Sequence, residues 1–401
     1  MWIEDLYRSS ERLVTEVTTG YTRSIFAQVK WNARMVCLKG ARGVGKTTMM
    51  LQRMKAVHTQ EMDAIYVTLD DLCFADHRLS ELVEYHHQHG GRYMFLDEVH
   101  RYPPQNWALE LKNIYDKFPR MNVAFSGSSV LDIDAKKADL SRRCLFYDVP
   151  GLSFREYLEL EGLGRFPACT LDDILHHHQD IEREVVPYLS VIAAFEKYLA
   201  TGYYPIYKEA DSDYGMQLRQ MVSTIIETDL PAAYKLEYAT LLKLKHLMAI
   251  IAHTVPFTIN VDNLSKHVEA SRKTVMKMFD LLSKARLINL LYSGKTTFQQ
   301  MVKPEKIYLE NPNLMYALSP SDVAIGTVRE SFIANQLSYG HTIAFSGSGD
   351  FIVDDKYIIE VGGKNKSFSQ IKDMPESYLA LGDIEYGHLN KIPLWLFGFL
   401  Y

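Results

Sequence analysis

The sequence predicts an α/β protein that begins with a parallel sheet covered by helices on both faces. Apolar runs without polar alternation recur up to residue 149, and helical patterns separate them. Strands that are buried on both faces are continuously apolar, and parallel strands need long crossovers, which helices usually provide. The predicted strands cover residues 35–38, 64–69, 93–98, 122–129 and 144–149, and the predicted helices cover 1–34, 49–54, 79–87 and 107–118.

Length and composition limit what the chain can be. Its 401 residues exceed one average domain, so we expect about two or three. The net charge of −5 gives no chain-wide attraction to nucleic acid or membranes, and no apolar run is long enough to span a bilayer. The widely spaced cysteines, and an N-terminus without a basic and apolar leader, favour a cytoplasmic protein without a disulfide framework.

A glycine-rich segment between the first strand and the next helix fits the phosphate-binding pattern G-x-x-x-x-G-K-[ST]. Glycines let the backbone turn tightly and aim its N–H groups at phosphate oxygens, and the following helix adds its positive N-terminal end. Lys46 is predicted to reach the outer phosphates, and the Thr47 hydroxyl to bind Mg²⁺. No guanine-reading motif is present, so the expected nucleotide is ATP. The predicted binding residues are Gly40, Ala41, Arg42, Gly43, Val44, Gly45, Lys46, Thr47 and Thr48.

The third predicted strand ends in two acidic residues, Asp97 and Glu98. Because parallel strands bring their carboxyl ends to one edge of the sheet, these acids should lie beside the phosphate loop. Asp97 is predicted to hold Mg²⁺, and Glu98 to polarise the attacking water as a general base. Ser126, near the end of the fourth strand, is a candidate contact for the terminal phosphate. Arg142 and Arg143, just before the fifth strand, are alternatives for neutralising transition-state charge.

These motifs resemble the bacterial and archaeal AAA-like P-loop ATPases that carry a C-terminal domain of unknown function. The matching segments are residues 40–48, 95–99 with Trp107 and Leu111, Ser126 to Ser129, 140–143 and 150–157. The resemblance implies an ATPase domain over residues 1–160 and a helical linker or lid over 161–239. It also favours Arg143 over Arg142 as the arginine that faces the nucleotide.

Residues 240–300 have the order of a winged helix-turn-helix. Helices are predicted at 241–251, 261–267 and 272–285, and a short hairpin follows at 287–294. Basic residues outnumber acidic ones here. Ser271, Arg272, Lys273 and Lys277 would front the third helix, where DNA-binding proteins place their contacts. DNA binding and a purely protein-packing role both stay open, because charge alone discriminates weakly between them.

The last predicted domain, residues 301–401, resembles the restriction-endonuclease-like α/β core found at the end of the same family. Residues 306–309 and 314–318 match its start, and strands are predicted at 349–353 and 357–361. The resemblance implies a second metal site, used for phosphodiester cleavage, formed by Glu330 on a helix and by Asp350 and Glu360 on two strands.

One position departs from that family's pattern. Gly362 stands where the family has a lysine two residues after the strand glutamate, and Lys364 and Lys366 follow as substitutes. We therefore expect the fold to be present, and favour a degenerate site kept for binding over an active nuclease.

The leading interpretation is an ATP-binding protein that hydrolyses ATP with Mg²⁺ and couples its nucleotide state to movement of the C-terminal half. A non-catalytic nucleotide-gated switch is one alternative, and a DNA-acting enzyme with a metal-dependent C-terminal nuclease is another. The expected ligands are ATP and Mg²⁺. DNA, a protein partner and further copies of the chain stay open as partners, and no membrane partner is expected.

Overall fold

The computed structural model describes residues 2–58, 62–102, 106–128, 140–254, 257–258, 260–294, 303–319 and 323–401. The chain forms two compact units. Unit 1 comprises Met1–Gly151 and Thr228–Lys235, and unit 2 comprises Leu152–Glu227 and Leu236–Tyr401. Unit 1 is therefore completed by a short segment that is distant in sequence. Within these described ranges, no helix is both long enough and apolar enough to cross a membrane.

Unit 1 is built on a five-stranded parallel sheet with the order β2–β3–β4–β1–β5. Its strands are β1 Met35–Gly40, β2 Ala64–Thr68, β3 Tyr93–Asp97, β4 Asn122–Ser128 and β5 Leu145–Asp148. Gly40 pairs with Ser128, and Thr68 pairs with Asp97, so the carboxyl ends of β1 to β4 meet at one edge. The predicted α/β class with a parallel sheet is confirmed. Ser129, the last residue of the predicted fourth strand, lies outside the described residues.

Helices flank this sheet and close its core. β1 and β4 lie inside the sheet and are buried along almost their whole length, which explains their continuously apolar sequences. Met35, Cys37 and Phe125 are fully buried in the core cluster. The helices of unit 1 are Trp2–Glu16, Ser24–Gln28, Lys46–Val57, Leu79–Gln88, Trp107–Lys117 and Leu230–Tyr234.

Unit 2 contains a helical region and two sheets. Its helices are Phe154–Leu160, Leu171–His176, His178–Val185, Val191–Thr201, Tyr207–Ala210, Tyr214–Thr224, Tyr238–Thr254, Val261–His267, Arg272–Lys284, Pro312–Leu318 and Ile325–Leu337. The smaller sheet is antiparallel with the order β6–β8–β7, formed by β6 Phe257–Thr258, β7 Ile288–Leu291 and β8 Lys306–Leu309. Residues 306–309, expected at the start of the last domain, therefore pair with β7. The hairpin predicted at 287–294 is wrong, because the described residues there form the single strand β7.

The larger sheet of unit 2 has the order β13–β12–β11–β10–β9. Its strands are β9 Ile343–Phe345, β10 Phe351–Val353, β11 Tyr357–Gly362, β12 Ser377–Leu381 and β13 Lys391–Pro393. The first three strands are antiparallel, and β11, β12 and β13 run parallel. Helix Ile325–Leu337 packs against β11, so Glu330 on this helix and Glu360 on β11 come from neighbouring elements.

Candidate functional site

The loop between β1 and helix Lys46–Val57 needs glycine at three positions. Gly43 and Gly45 have φ values of 81° and 92°, in the left-handed region that L side chains rarely adopt. A side chain at Gly40 would place its Cβ 2.4 Å from the carbonyl oxygen of Val149. The helix begins at Lys46 directly after this loop, so the positive end of its dipole faces the loop. The loop therefore has the form of an anion-binding turn.

A buried arginine fixes the loop to the end of the sheet. The Arg23 guanidinium donates to the carbonyl oxygen of Val44 at 2.7 Å and to that of Gly151 at 2.8 Å. It also donates to the carbonyl oxygen of Pro150 from both terminal nitrogens, each at 3.0 Å. The segment that starts at Pro150 is therefore one support of the phosphate loop, which gives a structural reason for part of the family resemblance over residues 150–157.

Lys46 folds back on its own loop. Its Nζ donates to the carbonyl oxygens of Gly40 at 3.0 Å and of Ala41 at 2.8 Å, and the side chain is buried. Burial lowers the pKa of the Lys46 ammonium, although Glu98 and Asp97 partly offset this effect. A buried ammonium group that donates to carbonyl oxygens is well placed to accept a stronger anionic partner.

Asp97 is the centre of a hydrogen-bond cluster at the end of β3. Its Oδ2 accepts from the Thr47 hydroxyl at 2.5 Å and from the Tyr66 hydroxyl at 2.8 Å. Its Oδ1 accepts from the Ser126 hydroxyl and from the backbone N–H of Glu98. Hard divalent cations such as Mg²⁺ bind oxygen donors of this kind. Thr47 and Asp97 therefore fit a shared Mg²⁺ chemically, and the structure brings Lys46 and Ser126 to the same place.

Glu98 follows in a strained backbone conformation with a φ of 50°. Burial raises the pKa of its carboxyl group, and the charge of Lys46 partly opposes the rise. His100 Nε2 lies 3.4 Å from Glu98 Oε2, and Arg101 Nε lies 3.9 Å from it. Burial lowers the pKa of His100 to about 4, so its contact with Glu98 at neutral pH is with a neutral imidazole. Glu98 is thus a carboxylate with a raised pKa beside the Asp97 cluster, as a general base requires.

Arg143 lies elsewhere in unit 1. Its guanidinium donates to both carboxylate oxygens of Asp116, at 2.9 and 3.1 Å. Asp116 lies in the last turn of helix Trp107–Lys117, and Arg143 precedes β5, whose first residue pairs with Val36 near the start of β1. Arg143 is therefore at the amino-terminal edge of the sheet, opposite the phosphate loop, and Arg142 beside it is exposed. Arg143 of one chain therefore lies away from the phosphate loop of that chain.

Three residues of this site were missed by the sequence analysis: Tyr66, Arg101 and Asp229. Tyr66 lies within an apolar strand, and a buried tyrosine hydroxyl next to the acid-bearing strand is a weak but usable signal. Arg101 follows Glu98 by three residues, so its proximity to the acid pair could have been considered. Asp229 is 128 residues from Arg101, to which it is hydrogen-bonded, and no local pattern points to it.

The carboxylates predicted as a second metal site are joined by lysines in unit 2. Lys306 Nζ lies between Glu330 Oε2, at 3.1 Å, and Asp350 Oδ1, at 3.0 Å. The Tyr308 hydroxyl also donates to Glu330, at 2.7 Å. Burial alone would lower the pKa of Lys306, but the two carboxylates raise it above its ordinary value. Among the residues that the structure describes, no three His, Cys, Asp or Glu side chains are arranged to hold a metal ion.

Glu360 pairs with the second of the two candidate lysines. Lys366 Nζ lies 2.5 Å from Glu360 Oε1. The stem of Lys366 fills the space above Gly362, where an added Cβ would meet Lys366 Cβ at 2.5 Å. The Lys366 ammonium group therefore pairs with Glu360, and the stem of Lys366 lies against Gly362, where the family has a lysine.

Comparison with known proteins supports the N-terminal assignment. Residues 32–158 match a family described as "AAA domain", and residues 192–323 match one described as "Domain of unknown function (DUF8612)". The uncharacterized protein MJ1637 of Methanocaldococcus jannaschii is 26% identical over 391 residues, which cover 89% of this chain and 81% of that protein.

Two solved structures are similar at a coarse level. AMPPCP-bound DnaA from Aquifex aeolicus is 12% identical, with a TM-score of 0.26 over 70% of this chain and 88% of that chain. RuvB from Thermotoga maritima is 12% identical, with a TM-score of 0.27 over 72% of this chain and 89% of that chain. Scores of this size do not assign a shared architecture, so the assignment depends on the family match and the loop geometry. Residues 32–158 match the AAA domain family and contain the phosphate loop described above, and they are joined in one chain to a region whose matched family is of unknown function.

Proposed function

We propose that unit 1 binds ATP with Mg²⁺ and hydrolyses it to ADP and phosphate. The observation that carries this proposal is the 2.5 Å hydrogen bond from Thr47 Oγ1 to Asp97 Oδ2. Thr47 and Asp97 lie on different elements, and this hydrogen bond brings together the two oxygen atoms that would both bind Mg²⁺. Mg²⁺ bound by these two residues would neutralise charge on the phosphate oxygens.

The other residues of the cluster have separate roles in this proposal. Lys46 exchanges the carbonyl oxygens of Gly40 and Ala41 for phosphate oxygens, because an anion is a stronger partner for an ammonium group than a carbonyl dipole. Glu98 accepts a proton from the attacking water, and its raised pKa suits it to this step. Ser126 orients Asp97 through its hydroxyl.

Nucleotide binding and turnover test these roles separately. Lys46→Ala should abolish ATP binding, and Lys55→Ala, on the exposed side of the same helix, should leave it unchanged. Glu98→Gln should bind ATP but hydrolyse it at least about 100-fold more slowly, the effect of removing a general base. Hydrolysis by Glu98→Gln at the wild-type rate would show that the base has been misassigned. Equal ATP binding by wild type and Lys46→Ala would contradict the binding site itself.

A nucleotide-gated switch is the second candidate function. It is favoured by the closed state of the site, in which Lys46 is held by its own loop and Glu98 lies near Arg101. Binding then requires rearrangement, and the bound state can be the functional one. The switch predicts that ATP with Mg²⁺ raises the melting temperature while multiple-turnover hydrolysis stays negligible. Sustained turnover would exclude it.

DNA binding by the winged-helix region is supported by one surface. Arg272, Lys273 and Lys277 are exposed on helix Arg272–Lys284, while Val275 and Phe279 are buried on its other side. Helices Val261–His267 and Arg272–Lys284 are followed by β7, which pairs antiparallel with β8, and this order supports the winged-helix interpretation. The affinity of the full chain for duplex DNA should fall with salt and weaken in the Lys273→Ala, Lys277→Ala double variant. An affinity without salt dependence would mean that no phosphates are contacted.

The C-terminal sheet is proposed to be a degenerate nuclease core. Lys306 holds the position between Glu330 and Asp350 where a divalent cation would bind, and this favours a structural ion-pair network. Plasmid nicking with Mg²⁺ or Mn²⁺ tests the alternative. Metal-dependent nicking that is abolished by both Asp350→Ala and Glu360→Ala would establish an active nuclease instead.

We propose self-association as a way for Arg143 to serve a nucleotide site. Arg143 lies at the sheet edge opposite its own phosphate loop, so it would have to act on another copy of the chain. Turnover per chain should then rise with protein concentration, and sedimentation should show larger species with ATP. Turnover that is independent of concentration would exclude this role.

A further inference from the structure

A short segment from the middle of the chain completes unit 1 beside the phosphate loop. The chain enters unit 1 at Thr228 and leaves it after Lys235, and the residues on either side belong to unit 2. The segment starts in a π-helical turn, Ile225–Asp229, continues as helix Leu230–Tyr234 and ends at Lys235 with a φ of 50°. Single π-helical turns inside helical segments occur frequently at functional sites.

Asp229 in this segment is 1% exposed and pairs with two arginines of the nucleotide site. Arg101 Nη2 donates to Asp229 Oδ1 at 2.8 Å. Arg42 Nη1, from the phosphate loop, lies 3.7 Å from Asp229 Oδ2. Burial alone would lower the pKa of Arg101, but pairing with Asp229 more than offsets this and raises it. A carboxylate buried this deeply needs such cationic partners, because an unpaired buried charge is strongly unfavourable.

The same carboxylate also lies in the electrostatic neighbourhood of the reacting groups. Burial has the largest effect on both groups, lowering the pKa of Lys46 and raising that of Glu98, and the negative charge of Asp229 adds a smaller upward contribution to each. Asp229 is therefore an anion of the protein that pairs with Arg42 and Arg101 and acts electrostatically on Lys46. In the proposed ATPase, the terminal phosphate of ATP would be a second anion that the same two arginines can bind.

Guanidinium groups bind carboxylate and phosphate oxygens with the same fork geometry. We propose that Asp229 competes with the terminal phosphate of ATP for Arg42 and Arg101, and so sets the preference between nucleoside triphosphate and diphosphate. The proposal rests on the proposed nucleotide function of unit 1. A diphosphate lacks the competing group, so ADP leaves the Asp229 pairs intact.

The competition has a reciprocal consequence. If binding of the terminal phosphate weakens the pairs between Asp229 and the two arginines, then breaking those pairs must strengthen triphosphate binding by the same free energy. A buried carboxylate that loses its partners is destabilised, so the helix Leu230–Tyr234 loosens when ATP is bound. Because Thr228 and Lys235 connect directly to unit 2, the nucleotide state is passed on along the chain itself.

Nucleotide affinities of one variant test the competition. Binding of AMPPNP and of ADP, each with Mg²⁺, is measured by calorimetry for wild type and Asp229→Asn. We expect AMPPNP to bind about tenfold more tightly to Asp229→Asn, the effect of freeing roughly one charge-assisted hydrogen bond, while ADP affinity changes less than about twofold. The matched control is Asp76→Asn, the same chemical change at an exposed position in the loop after β2. It should leave the ratio of the two affinities unchanged.

Hydrogen exchange of the wild-type chain gives a second measurement that needs no variant. Peptides covering residues 225–235 should exchange faster with AMPPNP than with ADP. The competition is overturned if the AMPPNP-to-ADP affinity ratio is the same in Asp229→Asn and wild type, or if AMPPNP binds more weakly to the variant. If Asp229→Asn does not fold, equal exchange with the two nucleotides overturns it. Wild type that binds neither nucleotide would instead refute the proposed function of unit 1.

Discussion

Replacing Glu310 by glutamine should stabilise unit 2 at about pH 8 and leave its stability almost unchanged near pH 4.5. Glu310 is buried, and within the described residues its Oε2 has no hydrogen-bond partner. Burial raises its pKa from 4.5 to about 7, and Arg286, whose Nη1 lies 3.8 Å from Oε1, offsets only part of this rise. Roughly 2.5 pH units at about 1.36 kcal/mol each give about 3 kcal/mol.

The sign follows from proton binding. Between about pH 4.5 and 7 the folded protein keeps the Glu310 proton, whereas the unfolded chain has released it. The free energy of unfolding therefore falls as the pH rises through this window, and above about pH 7 the whole destabilisation caused by the ionised Glu310 is present. Glutamine is neutral at every pH, so the variant avoids that cost. The main-chain hydrogen bonds to the Glu310 carbonyl oxygen, from the Asn289 and Asn335 side chains, are unaffected by the substitution.

Urea unfolding at about pH 5 and pH 8 measures the effect, with hydrogen exchange of strand β8 reporting on unit 2. The control is Glu209→Gln, the same chemical change at an exposed position of unit 2. The difference in unfolding free energy between Glu310→Gln and wild type should grow by about 2 to 3 kcal/mol between the two pH values. The reasoning is refuted if that difference is the same at both pH values, or if Glu209→Gln reproduces the effect.

Three further outcomes are expected. Thr47→Val should bind ATP but lose most of the gain in affinity that Mg²⁺ provides, whereas Thr47→Ser should keep it; calorimetry with and without Mg²⁺ compares them. Arg143→Ala should leave the ATP affinity of the monomeric chain unchanged, because its partner is Asp116 at the opposite sheet edge; a large loss of affinity in a sample that sedimentation shows to be monomeric would contradict that placement. Lys306→Met should create a Mn²⁺ site between Glu330 and Asp350, detectable by electron paramagnetic resonance, and wild type should show no such site.

The parts of this protein that were predictable are those encoded by neighbouring residues. The phosphate loop is recognisable because the left-handed turns at Gly43 and Gly45 and the start of a helix at Lys46 are all local requirements. The convergence of Asp97 and Thr47 was also predictable, because parallel strands necessarily bring their carboxyl ends to one edge.

The parts that were missed depend on tertiary placement. Arg143 was placed at the nucleotide through a family resemblance, but its position before β5 puts it at the amino-terminal edge of the sheet. Tyr66 looks like an ordinary strand residue until its hydroxyl meets Asp97. Asp229 is hydrogen-bonded to Arg101, which is 128 residues away in the sequence, and no helical or strand periodicity predicts a contact of this kind.

Because Thr228–Lys235 belongs to unit 1, the chain cannot be cut into its two units at a single position. A fragment that stops at Gly151 would lack Asp229, and its Arg42 and Arg101 would be left without their shared counter-ion. The two halves are therefore not independent modules that could be exchanged between proteins by cutting at a linker. Any domain swap or split version would have to carry this helical insert along with the first half, or supply it as a separate peptide.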